Sequence, residues 1–423
     1  MKIIKVTNVD NFVTKIIPNK PQKNYQTVQS IINQVKIHGD TALKKYEKKF
    51  SGANIISFRV SQNEIKDSYK KVSKKEILAI KLAKNRLEKT ESRLKSILKN
   101  QVISHDGIKI SKKFVPLQNI GCYIPGGLAK YPSSVIMSVV PAKVAGVKRV
   151  IVVSPPTSSG LIDPLTIVAA DICGVDEIYK VGGAQAIAAL SFGTKSISKV
   201  DKIVGPGGVF VTMAKTLVSD RTSIDMPAGP TELGIIADKS SNSLYVALDL
   251  ISQSEHSADT FCYLITNSET LAKSVNQHLK DLMNTIKRSE LVKKSLKQNG
   301  FIAICKDSKT MINLANELAP EHLQIMTNNP HILASKITTP GLILLGNETP
   351  SSASDYILGS NHILPTNGFG KTRGSLSVFD FIKINTQVKA TKSSLIQISK
   401  HLDVFTKAEG LPNHYEAVRG RLK

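Results

Sequence analysis

Short apolar runs alternate with amphipathic stretches along most of this chain, and that alternation gives the first structural information. Arg149-Val-Ile-Val-Val-Ser154 is an apolar run halted by Pro155 and Pro156, the pattern of a buried strand followed by a loop. Leu165–Ala170 predicts a helix, Glu177–Val181 a strand, and Ala184–Phe192 a helix entered through the Gly182-Gly183 turn. Leu233–Asp238 and Gly341–Leu345 add two more buried strands. Strand and helix exchanging at this pitch predict an α/β fold with a parallel, doubly wound sheet. Residues 25–50 and 63–99 predict lysine-rich amphipathic helices, and the segment after Asp380 returns to a lysine-studded amphipathic pattern. Leu244, Ala247, Leu248 and Ile251 recur at helical spacing and predict a buried face leading into Gln253-Ser254-Glu255-His256.

At 423 residues the chain is too long for one core and predicts two or three domains. The first ten residues lack an apolar leader core, and no apolar run approaches the roughly 20 residues that cross a bilayer. The expected location is the cytoplasm, without a membrane partner. Cys122, Cys173, Cys262 and Cys305 are widely spaced with no C-x-x-C, so they predict buried small hydrophobes rather than a disulfide framework or zinc ribbon. A formal charge of +24 raises the question of nucleic acid. The excess, however, is mostly lysine spread along the chain, aromatics are 5 %, and there is no Trp to stack on bases. The lysines read as solvated helix faces, and no nucleic-acid partner is expected.

Gln253 and His256 sit three residues apart, on one side of the predicted helix. An amide oxygen and an imidazole presented this way can bind a borderline cation such as zinc, although such a pair alone also fits a solvated helix face. Asp355 in Ser354-Asp355-Tyr356, His414 in Gly410-Leu-Pro-Asn-His414 and the acid–base pair Glu321-His322 after Pro320 change that picture. Together they read as a metal site with a general base beside it. By itself Pro320-Glu321-His322 also fits a helix start. Asp249, four residues before Gln253, either supports a ligand or meets solvent. Glycine clusters at Gly121–Gly127, Gly182-Gly183 and Gly205–Gly208 permit close approach of a phosphate or ribose, but none spells G-x-G-x-x-G.

Specific blocks in order resemble the histidinol dehydrogenase family. They include Gly121-Cys-Tyr-Ile-Pro-Gly-Gly, Tyr131-Pro-Ser-Ser-Val, Val181-Gly-Gly-Ala-Gln-Ala, Asp225-Met-Pro-Ala-Gly-Pro and Ser252-Gln-Ser-Glu-His. Leu318-Ala-Pro-Glu-His-Leu, Asn361-His-Ile-Leu-Pro-Thr and Ala408-Glu-Gly-Leu continue the series. The resemblance implies oxidation of L-histidinol through the aldehyde to L-histidine, the last steps of histidine biosynthesis. It implies NAD, one zinc ion per subunit, and a homodimer with shared active sites. It also implies two Rossmann-like doubly wound domains of aldehyde-dehydrogenase-like architecture, with small N- and C-terminal helical arms. The expected organisation is an N-terminal segment 1–20, a catalytic domain from 21–125 and 232–378, an NAD-associated domain 126–231, and a dimerisation arm 379–423.

Carried over position by position, the resemblance implies zinc ligands at Gln253, His256, Asp355 and His414, which also contact substrate. Glu321 and His322 match the general bases, with His322 also touching substrate; Thr231 and Glu409 match further substrate contacts. Tyr123, Gln185 and Gly208 match the NAD contacts, and His362 lies in a matching block as a supporting residue. The family usually has Ser at Thr231 and Asn at Gly208; the second change forgoes a hydrogen bond of roughly 0.5–1.5 kcal/mol to the cofactor. Ser354 stands where a glycine is common. Two other functions fit parts of the pattern: a cysteine-thioester aldehyde dehydrogenase using Cys122, and a lysine-rich binding protein on a degenerate scaffold.

Overall fold

The computed structural model describes residues 1–16, 24–126 and 130–422; Gly127 and the expected boundary at 20/21 lie outside them. Strand β1 (Lys2–Lys5) opens the chain, and a hairpin of β2 (Gln101–His105) and β3 (Ile108–Pro116) follows a long helical stretch. Strands β4 (Asn119–Tyr123), β5 (Arg149–Ser154), β6 (Glu177–Lys180), β7 (Lys202–Val204) and β8 (Ser223–Ile224) form a parallel sheet ordered β6-β5-β4-β7-β8. Strands β9 (Glu232–Ala237), β10 (Phe261–Thr266), β11 (Phe301–Ile304), β12 (His322–Met326) and β13 (Leu342–Leu345) repeat that order, β11-β10-β9-β12-β13. Strand β1 extends this second sheet beside β11. In each sheet the first strand of the core is central and the winding reverses beside it, which is the doubly wound arrangement expected.

The apolar strands are continuous runs because both faces of each sheet are covered. In β5, Val150 and Val152 pack with Val139 and Ile167 of the helices Pro132–Ala145 and Pro164–Ile172. Ile151 and Val153 face the other way, towards Ile31 and Leu43 of Tyr25–Ser51 and Ile187 of Gly183–Phe192. The second sheet is covered by Ser243–Ser254 and Glu269–Leu282 on one face, and by Ser308–Leu318 and Val9–Ile16 on the other.

This packing redraws the domain organisation. The helices Tyr25–Ser51, Gln62–Lys71 and Lys74–Ser96, together with β4, were expected to join residues 232–378, but they pack around the five-stranded sheet. β4 is that sheet's central strand, so it cannot belong elsewhere. The N-terminal segment is likewise built into the six-stranded sheet through β1. The C-terminal arm is helical over Lys392–Ala408 and Pro412–Leu422, but it begins with β14 (Ile382–Ala390), antiparallel to β3 from Ile382↔Pro116 to Ala390↔Ile108. All four cysteines are free and buried. No helix among the described residues is long and apolar enough to cross a membrane.

Candidate active site

The carboxyl ends of the five-stranded sheet meet the amino ends of the six-stranded sheet around a cavity of about 300 Å³. Gly205–Gly208 after β7 and Asp225-Met226 after β8 line it from one side. Thr231 before β9 and Glu321-His322 at the start of β12 line it from the other, joined by His256, Asp355 and His362. Ligand sites in doubly wound sheets favour such carboxyl-end crevices.

Helix Ser308–Leu318 ends at Ala319, whose φ of +43° turns the chain directly into β12. Glu321 and His322 therefore enter a strand rather than start a helix. Glu321 Oε2 accepts the Thr231 hydroxyl at 2.5 Å and the Glu232 N–H at 2.9 Å. Thr231 Oγ1 in turn accepts the Gln253 amide N–H at 2.7 Å, so one hydrogen-bond chain links Gln253, Thr231 and Glu321. Glu232 reciprocates by accepting the Glu321 N–H at 3.1 Å. His322 Nδ1 lies 3.3 Å from the Glu232 carbonyl, which can only accept, so Nδ1 carries a proton. Its Nε2 lies 3.1 Å from Asp355 Oδ1. Burial opposes charge on His322, but Glu321 and Asp355 overcome it and raise the imidazole to about 10. For Asp355 burial also opposes charge, and His322 outweighs it, holding the carboxyl below its ordinary range. His362 supports from behind, with Nδ1 2.7 Å from the Asp355 carbonyl.

Helix Ser243–Ser254 starts at Asn242, whose side chain accepts the Leu244 N–H at 2.9 Å. Its buried face is Val246, Ala247, Leu250 and Ile251; Leu244 and Leu248, expected inside, are exposed because the face is rotated from the predicted stripe. Asp249 is buried rather than solvated, and burial pushes its carboxyl up to about 6. Gln253 is buried in the last turn, while His256 lies just past the helix end, its N–H bonded to the Gln253 carbonyl. The Gln253 amide nitrogen is engaged with Thr231, so its oxygen is the atom left for a cation. Glu409 and His414 are exposed on the C-terminal arm and do not line the cavity. Among the described residues no three His, Cys, Asp or Glu side chains gather as a metal cluster. One chain thus offers one amide, one imidazole and one carboxylate. The chemistry of that nitrogen–oxygen set suits a borderline cation such as zinc.

The implied NAD contacts fall at two places. A second cavity of about 610 Å³ lies beyond the carboxyl ends of β5 and β6, lined by Glu47, Pro155–Ser158, Gly182–Gln185 and Phe210. Gln185 is buried there, and Tyr123 Oη accepts the Gly183 N–H at 3.1 Å. Gly208 instead lines the first cavity, where an added Cβ would meet no atom within 4 Å, so the missing asparagine is not a steric necessity. Gly205, at φ +113°, is a necessity, because a side chain would strike the Tyr123 carbonyl.

Cys122 is buried within β4, lines neither cavity, and burial pushes its thiol far above the ordinary range. That removes the thioester function. Motif spacing gave no role to Glu232, which braces Glu321 and His322, to Glu47 beside Gln185, or to the buried Lys215–Asp225 ion pair beneath the Gly205 loop. Asp225 alone carried a signal, since it opens one of the quoted blocks.

The histidinol dehydrogenase family model matches residues 18–422. The histidinol dehydrogenase of Methanococcus maripaludis is 44% identical over 427 residues, covering 100% of both chains. That of Oceanobacillus iheyensis is 43% identical over 397 residues, covering 94% of this chain and 92% of the relative. The crystal structure of histidinol dehydrogenase from Elizabethkingia anophelis superposes with a TM-score of 0.94 at 35% identity, covering 100% of this chain and 98% of the other.

Proposed function

Since this chain belongs to the histidinol dehydrogenase family and is an oxidoreductase, we propose that it performs the NAD-linked, zinc-dependent four-electron oxidation of L-histidinol through L-histidinal to L-histidine. One observation carries this reading: Thr231, His256, Glu321, His322 and Asp355, from four separate segments, line a single cavity. As a step of amino-acid biosynthesis, the reaction belongs in the cytoplasm.

Zinc, held by Gln253, His256 and Asp355 together with His414, would bind the amine and imidazole nitrogens of histidinol and fix its alcohol carbon. NAD, contacted by Tyr123, Gln185 and the Gly208 backbone, would take the hydride of each oxidation. His322 is oriented by its Nδ1–H donating to the Glu232 carbonyl; its Nε2 faces Asp355, and with that carboxylate engaged by zinc Nε2 would be released to take the hydroxyl proton. Glu321 has Oε2 fixed by Thr231 and Glu232, which leaves Oε1 to deprotonate the water that adds to histidinal. Thr231 relays the position of Gln253 to Glu321 and bounds the substrate from that side.

A second copy of the chain would supply Glu409 and His414. Support for this lies in the arm, where Val388, Val404 and Phe405 are each 65–68% exposed, apolar surface that a homodimer would cover. The deciding experiment is the amount of NADH formed per histidinol consumed, with and without a chelator. Two NADH per histidinol, abolished by the chelator and restored by zinc, is the expected result. One NADH with histidinal accumulating, or full turnover in metal-free protein, would refute the reading.

A further inference from the structure

Glu47 of helix Tyr25–Ser51 is a buried carboxylate, 1% exposed, on the wall of the 610 Å³ cavity. Its Oε1 accepts the Gly182 N–H at 3.0 Å and the Gln185 side-chain N–H at 2.9 Å, while Ser51 Oγ donates to Oε2 at 3.2 Å. A carboxylate facing two donors fixes the Gln185 amide unambiguously, because only the nitrogen can face an acceptor. The Gln185 oxygen is thereby turned away, and it is buried without a hydrogen-bond partner. A buried polar atom left unpaired is costly, so a site that keeps one is shaped for a donor. The atom lies over Gly183, where a Cβ would come 2.7 Å from it, so the glycine leaves it uncrowded on that side. The same carboxylate also takes the backbone N–H at the amino end of helix Gly183–Phe192, where a nucleotide phosphate would otherwise be drawn.

We propose that Glu47 is a positioning residue for the cofactor: it locks the Gln185 amide so that the amide oxygen accepts an N–H or O–H of the bound dinucleotide, and it closes the neighbouring helix terminus to phosphate. This rests on the NAD reading above. The donor is a carboxamide, exocyclic amine or ribose hydroxyl, and not a phosphate oxygen.

The test is NAD binding to the full-length protein by calorimetry, with thermal shift as a second readout. Glu47→Ala frees the amide to rotate, and NAD should bind about 3- to 10-fold more weakly, the loss of one oriented hydrogen bond. Glu47→Gln, whose amide oxygen can accept both donors, should restore most of that affinity. In a Gln185→Ala background, Glu47→Ala should change NAD affinity by less than about twofold, because the residue acts through Gln185. Should Glu47→Ala fail to fold, Glu47→Asp, which keeps the charge but withdraws it by one methylene, carries the same expectation. Weakening shared by ADP-ribose assigns the donor to the exocyclic amine or a ribose hydroxyl, and weakening confined to NAD assigns it to the nicotinamide carboxamide; either upholds the proposal. Unchanged affinity in folded Glu47 variants, or equal losses with and without Gln185, overturns it. Wild-type protein that binds no NAD would instead overturn the cofactor reading itself.

Discussion

Lys215→Met tests whether the floor of the catalytic cavity is held by a buried charge. Lys215 and Asp225 form an ion pair with side chains only 2% and 1% exposed. Asp225 also accepts the N–H groups of Gly205 at 2.8 Å and Met226 at 2.6 Å, and Lys215 Nζ donates to the Gly205 carbonyl at 2.9 Å. Arg373 closes the cluster by donating to the Asp225 carbonyl. Methionine keeps the volume but strands the carboxylate. Removing one partner of a buried pair costs about 3–5 kcal/mol, and the two remaining N–H donors put this case near the lower end, about 3 kcal/mol. For a domain of about 150–250 residues that corresponds to a melting point lower by roughly 6–12 °C. Far-UV circular dichroism is the suitable probe, because the chain has no Trp. Replacing the whole pair, Lys215→Met with Asp225→Leu, should not recover the loss as buried pairs often do, since Gly205 and Met226 would lose their acceptor. Gly205 and Met226 line the active-site cavity, so histidinol turnover should fall well below the melting point. A single variant melting within about 2 °C of wild type would refute the buried-charge argument.

Three further outcomes follow from the site and its surroundings. Glu321→Gln, nearly isosteric, should slow histidinal oxidation far more than histidinol oxidation, whereas His322→Asn should slow both; equal losses for Glu321→Gln in separate half-reaction assays would contradict the assigned roles. Mixing inactive His256→Ala and His414→Ala subunits should restore about half of wild-type activity per heterodimer, because one of its two sites carries neither lesion; tag-verified heterodimers without activity would show that the tail serves its own chain. Glu91, buried on helix Lys74–Ser96, accepts the Val378 N–H at 2.6 Å, and burial raises its carboxyl from the ordinary 4.5 to about 7. The folded chain then holds a proton that the unfolded chain has released. Stability from this group is therefore lost as pH rises from about 4.5 to about 7. Glu91→Gln should flatten that stretch of the thermal-stability profile, and an unaltered slope would count against the assignment.

Much of the fold was legible in local pattern. The apolar runs at 149–154, 177–181 and 233–238 became strands buried on both faces, because continuous apolar character fits a covered parallel sheet, and the run at 341–345 became a half-buried edge strand. The order of the motif blocks fixed the family, and with it the candidate residues Gln253, His256, Glu321, His322 and Asp355. What the local pattern left open was which partner each face meets. The amphipathic helices of residues 25–96 display an apolar stripe to any covering surface, and only the completed five-stranded sheet, with β4 at its centre, selected it. The bracing groups were invisible for the same reason. Glu47 meets Gln185, Glu232 meets Glu321 and Glu91 meets Val378 across wide gaps in sequence. No periodicity marks such pairs, because a buried carboxylate is tolerated only where the fold delivers donors to it. The sequence by itself determined those four strands, the chemistry of the donors and the family. Tertiary structure decided their company, because burial, charge pairing and hydrogen-bond satisfaction belong to positions in space rather than to positions along the chain.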